Sequence, residues 1–156
     1  MPTEKNFKSE RISKTATIIV NAEIAAAFPL FGAFEERKWA TGWNPTLIYP
    51  LLEIIEEGTT FKTKGYGNDE DDFFWRVSKY NPGQYFIEYF VFTQNRYWTI
   101  EVKCFPASDN KTLAEVTYTY TGLNQVGNNI NRNAVEEMFK ENLKDWQEEI
   151  NSYLAK

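Results

Sequence analysis

The sequence predicts an α+β domain: one strand, a short helical pair, six further antiparallel strands and a long C-terminal helix. Three observations carry this reading. Residues 11–20 are rich in β-branched side chains. Between residues 52 and 121, short alternating runs are separated by brief turns rich in Gly, Asn and Pro. From about residue 133, apolar side chains recur at i, i+3 and i+4. The 156 residues suit a single domain, taken as residues 11–156 behind a loose charged tail of residues 1–10.

The elements follow in order. Arg11–Val20 is the first strand. Asn21 is placed to cap a short helix, Ala22–Phe28, which Pro29 should bend or stop. A second helical segment, about Leu30–Ala40, runs into the loop Thr41-Gly42-Trp43-Asn44-Pro45. Six strands are then expected at Leu52–Glu56, Thr59–Tyr66, Phe73–Tyr80, Tyr85–Thr93, Tyr97–Phe105 and Leu113–Thr121. Gly122–Asn131 ends the sheet, and one helix of about 22 residues and roughly 33 Å begins near Asn133. Its apolar stripe carries Val135, Met138, Phe139, Leu143, Trp146, Ile150 and Tyr153, with Asn142 among them.

Alternation assigns the faces. Trp98, Ile100, Val102 and Cys104 share one face with Ala114, Val116, Tyr118 and Tyr120, and with Ile87, Tyr89, Val91 and Thr93. Most charges fall on the other face. A three-residue loop at Asn81-Pro82-Gly83 turns Trp75 and Val77 inward and sets Arg76 outside against Glu88, whereas a two- or four-residue loop drives Arg76 inward. The first is preferred because it buries Trp75 and pairs a charge. The same parity turns Phe61 and Thr63 inward and Lys62 and Lys64 outward. This register leaves Tyr and Asn as the main inward polar groups, with no ionisable side chain poised to exchange protons.

Composition excludes much chemistry. A formal charge of −5 gives no basic footprint for nucleic acid. Without histidine there is no Ser-His-Asp triad, Cys-His pair or His-ligated metal. Cys104 is alone, is expected to be an inert core thiol, and gives no sign of an oxidising compartment. The run Asn68-Asp69-Glu70-Asp71-Asp72 lacks the Gly and distant Glu of a calcium loop and reads as a solvated turn. Gly65-Tyr66-Gly67 lacks the features of a phosphate loop. No metal or cofactor is therefore expected. No run approaches the ~20 apolar residues of a membrane span and residues 1–10 lack a signal-peptide core, so a cytoplasmic protein without stable membrane insertion is expected.

The positive signal is aromatic: twelve Phe, nine Tyr and five Trp. Trp75, Tyr89, Trp98, Tyr118 and Trp146 converge on the inferred inner face and are expected to wall a cavity between sheet and helix. Phe61, Tyr120 and Met138 join them. Trp39 and Trp43 flank a loop and suit either a core edge or a cavity rim. Asn142, an amide on an apolar stripe, needs either backbone or ligand partners.

With these elements in order, the chain resembles the START-type helix-grip superfamily (SRPBCC), in its polyketide cyclase/dehydrase and lipid-transport-like branch. The resemblance spans about residues 11–154. It rests on Ile12–Val20 followed by Ala22–Phe31, on Gly42-Trp43-Asn44-Pro45 and Glu57-Gly58-Thr59-Thr60-Phe61, and on the segments 75–83 and 116–123. Phe139 and Trp146 in the last helix complete it. It implies a curved seven-stranded antiparallel sheet (β-αα-β6-α) gripping the C-terminal helix around a cavity for hydrophobic or aromatic molecules. It supplies no catalytic motif to carry over, and the His-bearing metal sites of oxygenase members have no ligands here. Binding of a hydrophobic or aromatic small molecule is therefore the leading function. The alternatives are a cyclase- or dehydrase-like enzyme on a polyketide-like substrate, with Glu53 and Arg76 the nearest acid/base candidates, and a co-chaperone-like interaction module. A homodimer is left open.

Overall fold

The computed structural model describes residues 6–65 and 70–156. The strands are β1 (Arg11–Val20), β2 (Thr46–Tyr49), β3 (Thr60–Thr63), β4 (Phe73–Asn81), β5 (Phe86–Phe92), β6 (Arg96–Pro106) and β7 (Thr112–Gly122). The α-helices are α1 (Ile24–Ala27), α2 (Gln125–Met138) and α3 (Lys144–Leu154). Among the described residues the strands form one antiparallel sheet in the order β1-β7-β6-β5-β4-β3-β2, a meander from β2 to β7 closed by β1. α2 packs on β7, β1 and β6, and α3 on β1. Residues 1–5 of the expected tail, Tyr66 of the expected third strand, and Tyr66-Gly67 and Asn68-Asp69 of the two excluded motifs lie outside the described residues.

The inner face is built as alternation requires. Trp98, Ile100, Val102, Cys104, Ala114, Val116, Tyr118 and Tyr120 are all buried. Val91 lies opposite Trp98, Tyr89 opposite Ile100 and Ile87 opposite Val102. Trp75 and Val77 also face inward, but by a different route from the one expected. The β4–β5 loop holds four residues, since Asn81 pairs with Phe86. A register shift between Val77 and Lys79 then restores the parity, as a bulge does by adding one residue to one strand. Arg76 stays exposed on the outer face, opposite Phe90 rather than Glu88. Glu88 is instead engaged by Ser78, whose hydroxyl donates at 2.7 Å, and by Lys79 at 3.7 Å.

Four segments depart from expectation. Leu52–Glu56 is no strand; Leu51 is 97% exposed, and strand pairing occurs earlier, at Thr46–Tyr49. Pro50 lacks an N–H for a ladder, and the loop beyond it is organised by buried Thr59, whose hydroxyl donates to Ile54 O (2.8 Å) and accepts from Glu56 N (3.0 Å). The helical pair contracts to α1 and two 3-10 turns, Phe28–Phe31 and Glu35–Lys38. Asn21 does not cap it: Glu23 holds the cap position, and Asn21 N donates to Asn151 Oδ1.

The third departure is at the C-terminus. Helix begins at Gln125, capped by Asn124, whose side chain accepts from Gly127 N at 2.8 Å. Tertiary contacts override the poor helix propensity of its Asn residues. A Cβ on Gly127 would stand 1.8 Å from Asn95 O, so only glycine lets the first turn of α2 sit against the β5–β6 turn. The helix then breaks between Met138 and Lys144, where Asn142 (φ 52°) and Leu143 (φ 60°) are left-handed. This turn carries Leu143 into the core and leaves Asn142 exposed. Finally, residues 8–10 are not loose. Asn128 donates to Lys8 O and accepts from Glu10 N, Ser9 donates to Gly122 O, and Arg132 pairs with Glu10.

Candidate functional site

Two adjoining chambers lie between the inner face of the sheet and the helices. The first, about 390 Å³, is walled by Trp39, Trp43, Phe61, Trp75, Tyr89 and Trp146. The second, about 880 Å³, shares Trp75, Tyr118, Met138 and Asp145 with it and adds, among others, Trp98, Tyr120, Glu70 and Arg96. All five tryptophans of the chain thus line one chamber or the other. Asn142 lines neither, because the helix break turns it to solvent.

The walls of the tryptophan chamber are held by one another. Phe61 stacks on Trp75 at 5.4 Å, Trp43 meets Trp75 edge-on at 5.2 Å, and Trp39 packs on Trp146 at 5.8 Å. Their polar handles are largely committed to the protein. Trp39 Nε1 donates to Leu30 O (2.7 Å), Trp43 Nε1 to Ala33 O (2.6 Å), Trp75 Nε1 to Thr63 Oγ1 (3.0 Å) and Tyr89 OH to Phe31 O (2.7 Å). The Tyr89 bond ties residues 28–43 to the sheet, those of Trp39 and Trp43 close that segment on itself, and that of Trp75 joins β4 to β3, so that ring faces rather than N–H groups are left toward the chamber. Its charged groups among the described residues are Glu36, Asp145 and Glu149. Burial pushes the Glu36 carboxyl well above the usual carboxylate range. Burial, with the nearby Glu36 charge adding to it, likewise raises the Tyr89 phenol.

The second chamber is organised by Arg96, 1% exposed, at the start of β6. Its Nε donates to Glu70 Oε2 at 2.8 Å and its Nη2 to Glu70 Oε1 at 2.7 Å, a bidentate pair. Nη1 donates to Asn131 Oδ1 at 3.2 Å. The guanidinium carbon lies 4.4 Å from the centre of the Trp98 ring, a cation–π stack within a desolvated site. Asn131 Nδ2 is buried without a hydrogen-bond partner among the described residues.

These ionisable groups correct the expectation of a cavity without them. Arg96, Trp98 and Ile100 share one parity, so the alternation of β6 contained the signal, but Arg96 was assigned to the preceding turn. Glu36 sits in the run Glu35-Glu36-Arg37-Lys38, whose composition resembles a solvated surface. Glu70 lay within the acidic run. The two named acid/base candidates are elsewhere: Arg76 is exposed on the outer face, and Glu53 is half exposed in an ion pair with Arg37. Cys104 is buried and its thiol is pushed up to about 12, which keeps it from the nucleophilic thiolate form at neutral pH.

No protein-family profile matches the chain, and no curated protein matches it. Solved structures do. A norcoclaurine synthase from Thalictrum flavum, a point mutant with a transition-state analogue, superposes with a TM-score of 0.66 over 96% of this chain and 98% of its own, at 8% identity. The Zhui aromatase/cyclase from a Streptomyces species also gives 0.66, over 92% and 93%, at 10% identity. The Mll3558 protein from Rhizobium loti gives 0.64, over 92% and 99%, at 16% identity. The chain has the helix-grip fold, α+β, with a seven-stranded antiparallel sheet and a C-terminal helical segment.

Proposed function

We propose that the chain binds a hydrophobic or aromatic small molecule in the two chambers between sheet and helices. The observation that carries this is the concentration of all five tryptophans on chamber walls, with their N–H groups at Trp39, Trp43 and Trp75 already bonded. Ring faces so fixed offer stacking and dispersion to a flat apolar guest without reorganisation. Trp39, Trp43, Phe61, Trp75, Tyr89 and Trp146 form one half of the ligand surface, and Trp98, Tyr118, Tyr120 and Met138 the other. A norcoclaurine synthase of similar fold was solved with dopamine and hydroxybenzaldehyde, two small aromatic molecules, which supports this ligand class. No helix among the described residues is long and apolar enough to cross a membrane, and we place the chain in the cytoplasm.

One observation favours a second reading, a cyclase- or dehydrase-like enzyme. Glu36 offers a carboxyl that burial holds well above the usual carboxylate range inside an aromatic chamber, the direction of shift a general acid needs. Equilibrium dialysis with 2-naphthol tests the binding that both readings share. Saturable binding at a one-to-one ratio is expected, and a linear, non-saturating uptake would contradict it.

A further inference from the structure

Resting on that binding reading, the tryptophan chamber also says which charge its guest carries. Four of the chain's five tryptophans line it, Trp39, Trp43, Trp75 and Trp146, and the charged residues among its described walls are all acidic. Asp145 and Glu149 stand on α3, Asp145 exposed and Glu149 partly so, and Glu36 is partly buried within. The cations nearest Glu36 in sequence are already engaged, Arg37 by Glu53 and Lys38 by Glu35. Glu36 itself has no side-chain hydrogen bond or ion pair among the described residues. The geometry points to an organic cation as the ligand of this chamber: an aromatic or apolar body carrying an ammonium, with the ammonium set between the Glu36 carboxylate and the indole faces.

Three physical terms agree on this. Indole faces attract cations through their quadrupole, most strongly where water is excluded. A carboxyl held without a partner is stabilised as an anion by an arriving positive charge. A chamber with three carboxyl groups and no cation on its described walls repels an anionic guest of the same shape. An ammonium should therefore lower the proton affinity of the Glu36 carboxyl on binding. Tyr89 from β5 interacts electrostatically with Glu36, Asp145 and Glu149 from α3 line the same chamber, and Glu35, Arg37 and Lys38 lie on its own segment. Tyr89, with its phenol raised, stays neutral across the range used below, so the pH response is carried by the carboxyl groups.

Isothermal titration calorimetry with three probes of one shape tests the inference: 2-(2-naphthyl)ethylamine, 2-(2-naphthyl)ethanol and 2-naphthylacetate. The amine is expected to bind about tenfold or more tighter than the alcohol at about pH 8. Lowering the pH to about 5 should shrink that ratio in the unmodified protein, and Glu36→Gln should bring it toward about one. The variant is expected to fold. Below the ordinary carboxylate range Glu36 is protonated in both states and costs nothing; as pH rises, the unfolded chain ionises first and the folded state is penalised. Glu36→Gln removes that penalty, so its Tm at about pH 8 should equal or exceed that of the parent. Equal affinity for amine and alcohol, or tightest binding of the acetate, overturns the inference while the aromatic-ligand reading stands. Failure of all three probes to bind overturns both.

Discussion

Replacing Glu70 with alanine is expected to destabilise the fold by about 3–5 kcal/mol, because it leaves the Arg96 guanidinium buried with most of its hydrogen bonds broken. Arg96 is 1% exposed and Glu70 9%, so water cannot take over the lost carboxylate without opening the site. The remaining partners, Asn131 Oδ1 at 3.2 Å and the Trp98 face at 4.4 Å, do not neutralise the charge. The pair is not thereby a net stabiliser, since desolvating two charges costs as much as their attraction returns. The double replacement Glu70→Leu with Arg96→Met removes both charges and should recover most of the loss. Urea unfolding of Glu70→Leu, Arg96→Met and the double variant checks this through the coupling. Losses that simply add would contradict it.

Trp98→Ala should cost a similar ~3–5 kcal/mol, the range for deleting a packed aromatic ring. Trp98 lines the second chamber yet is only 4% exposed. It is covered by Phe73, edge-on at 5.1 Å, by Tyr120 at 5.8 Å and by the Arg96 guanidinium. The ring is therefore core on three sides and wall on one, and its removal uncovers Arg96 as well as enlarging the chamber. A loss below about 1 kcal/mol in thermal or urea unfolding would show that the chamber is already collapsible at this point.

The architecture was legible because it rests on periodicity. β1 runs from Arg11 to Val20 as expected, and every residue assigned to the inner face of β6 and β7 is buried there. Prediction from pattern failed where tertiary contacts outrank local preference. Leu52 and Ile54 read as strand but are exposed, since nothing in composition distinguishes an apolar loop from an apolar strand. The C-terminal stripe was correct at Phe139, Leu143 and Ile150 but not at Asn142, because a two-residue left-handed turn rotates the second half of the helical segment. Among residues on the chamber walls, Phe61, Trp75, Tyr89, Trp98, Tyr118 and Tyr120 followed from strand alternation. Glu36 and Glu70 did not, because charged side chains in short charged runs carry no mark of burial, and Arg96 did not, because a strand starting at Tyr97 leaves it in the turn although it shares the parity of Trp98. Their inward placement depends on chain segments distant in sequence: α2 supplies Asn131, and β6 holds Arg96 against Glu70.

The claim that the tryptophan-lined chambers are the ligand site is tested most directly by ¹⁵N–¹H NMR of the five indole N–H groups during titration with 2-naphthol. All five indoles line the chambers, whereas the exposed aromatic cluster of the outer face is built from Phe90, Phe92 and Tyr97 and contains no tryptophan. Saturable shifts of the Trp75 and Trp146 signals, with a common dissociation constant, are expected. Saturation of binding with all five indole signals unmoved would place the ligand elsewhere on the protein and contradict the claim.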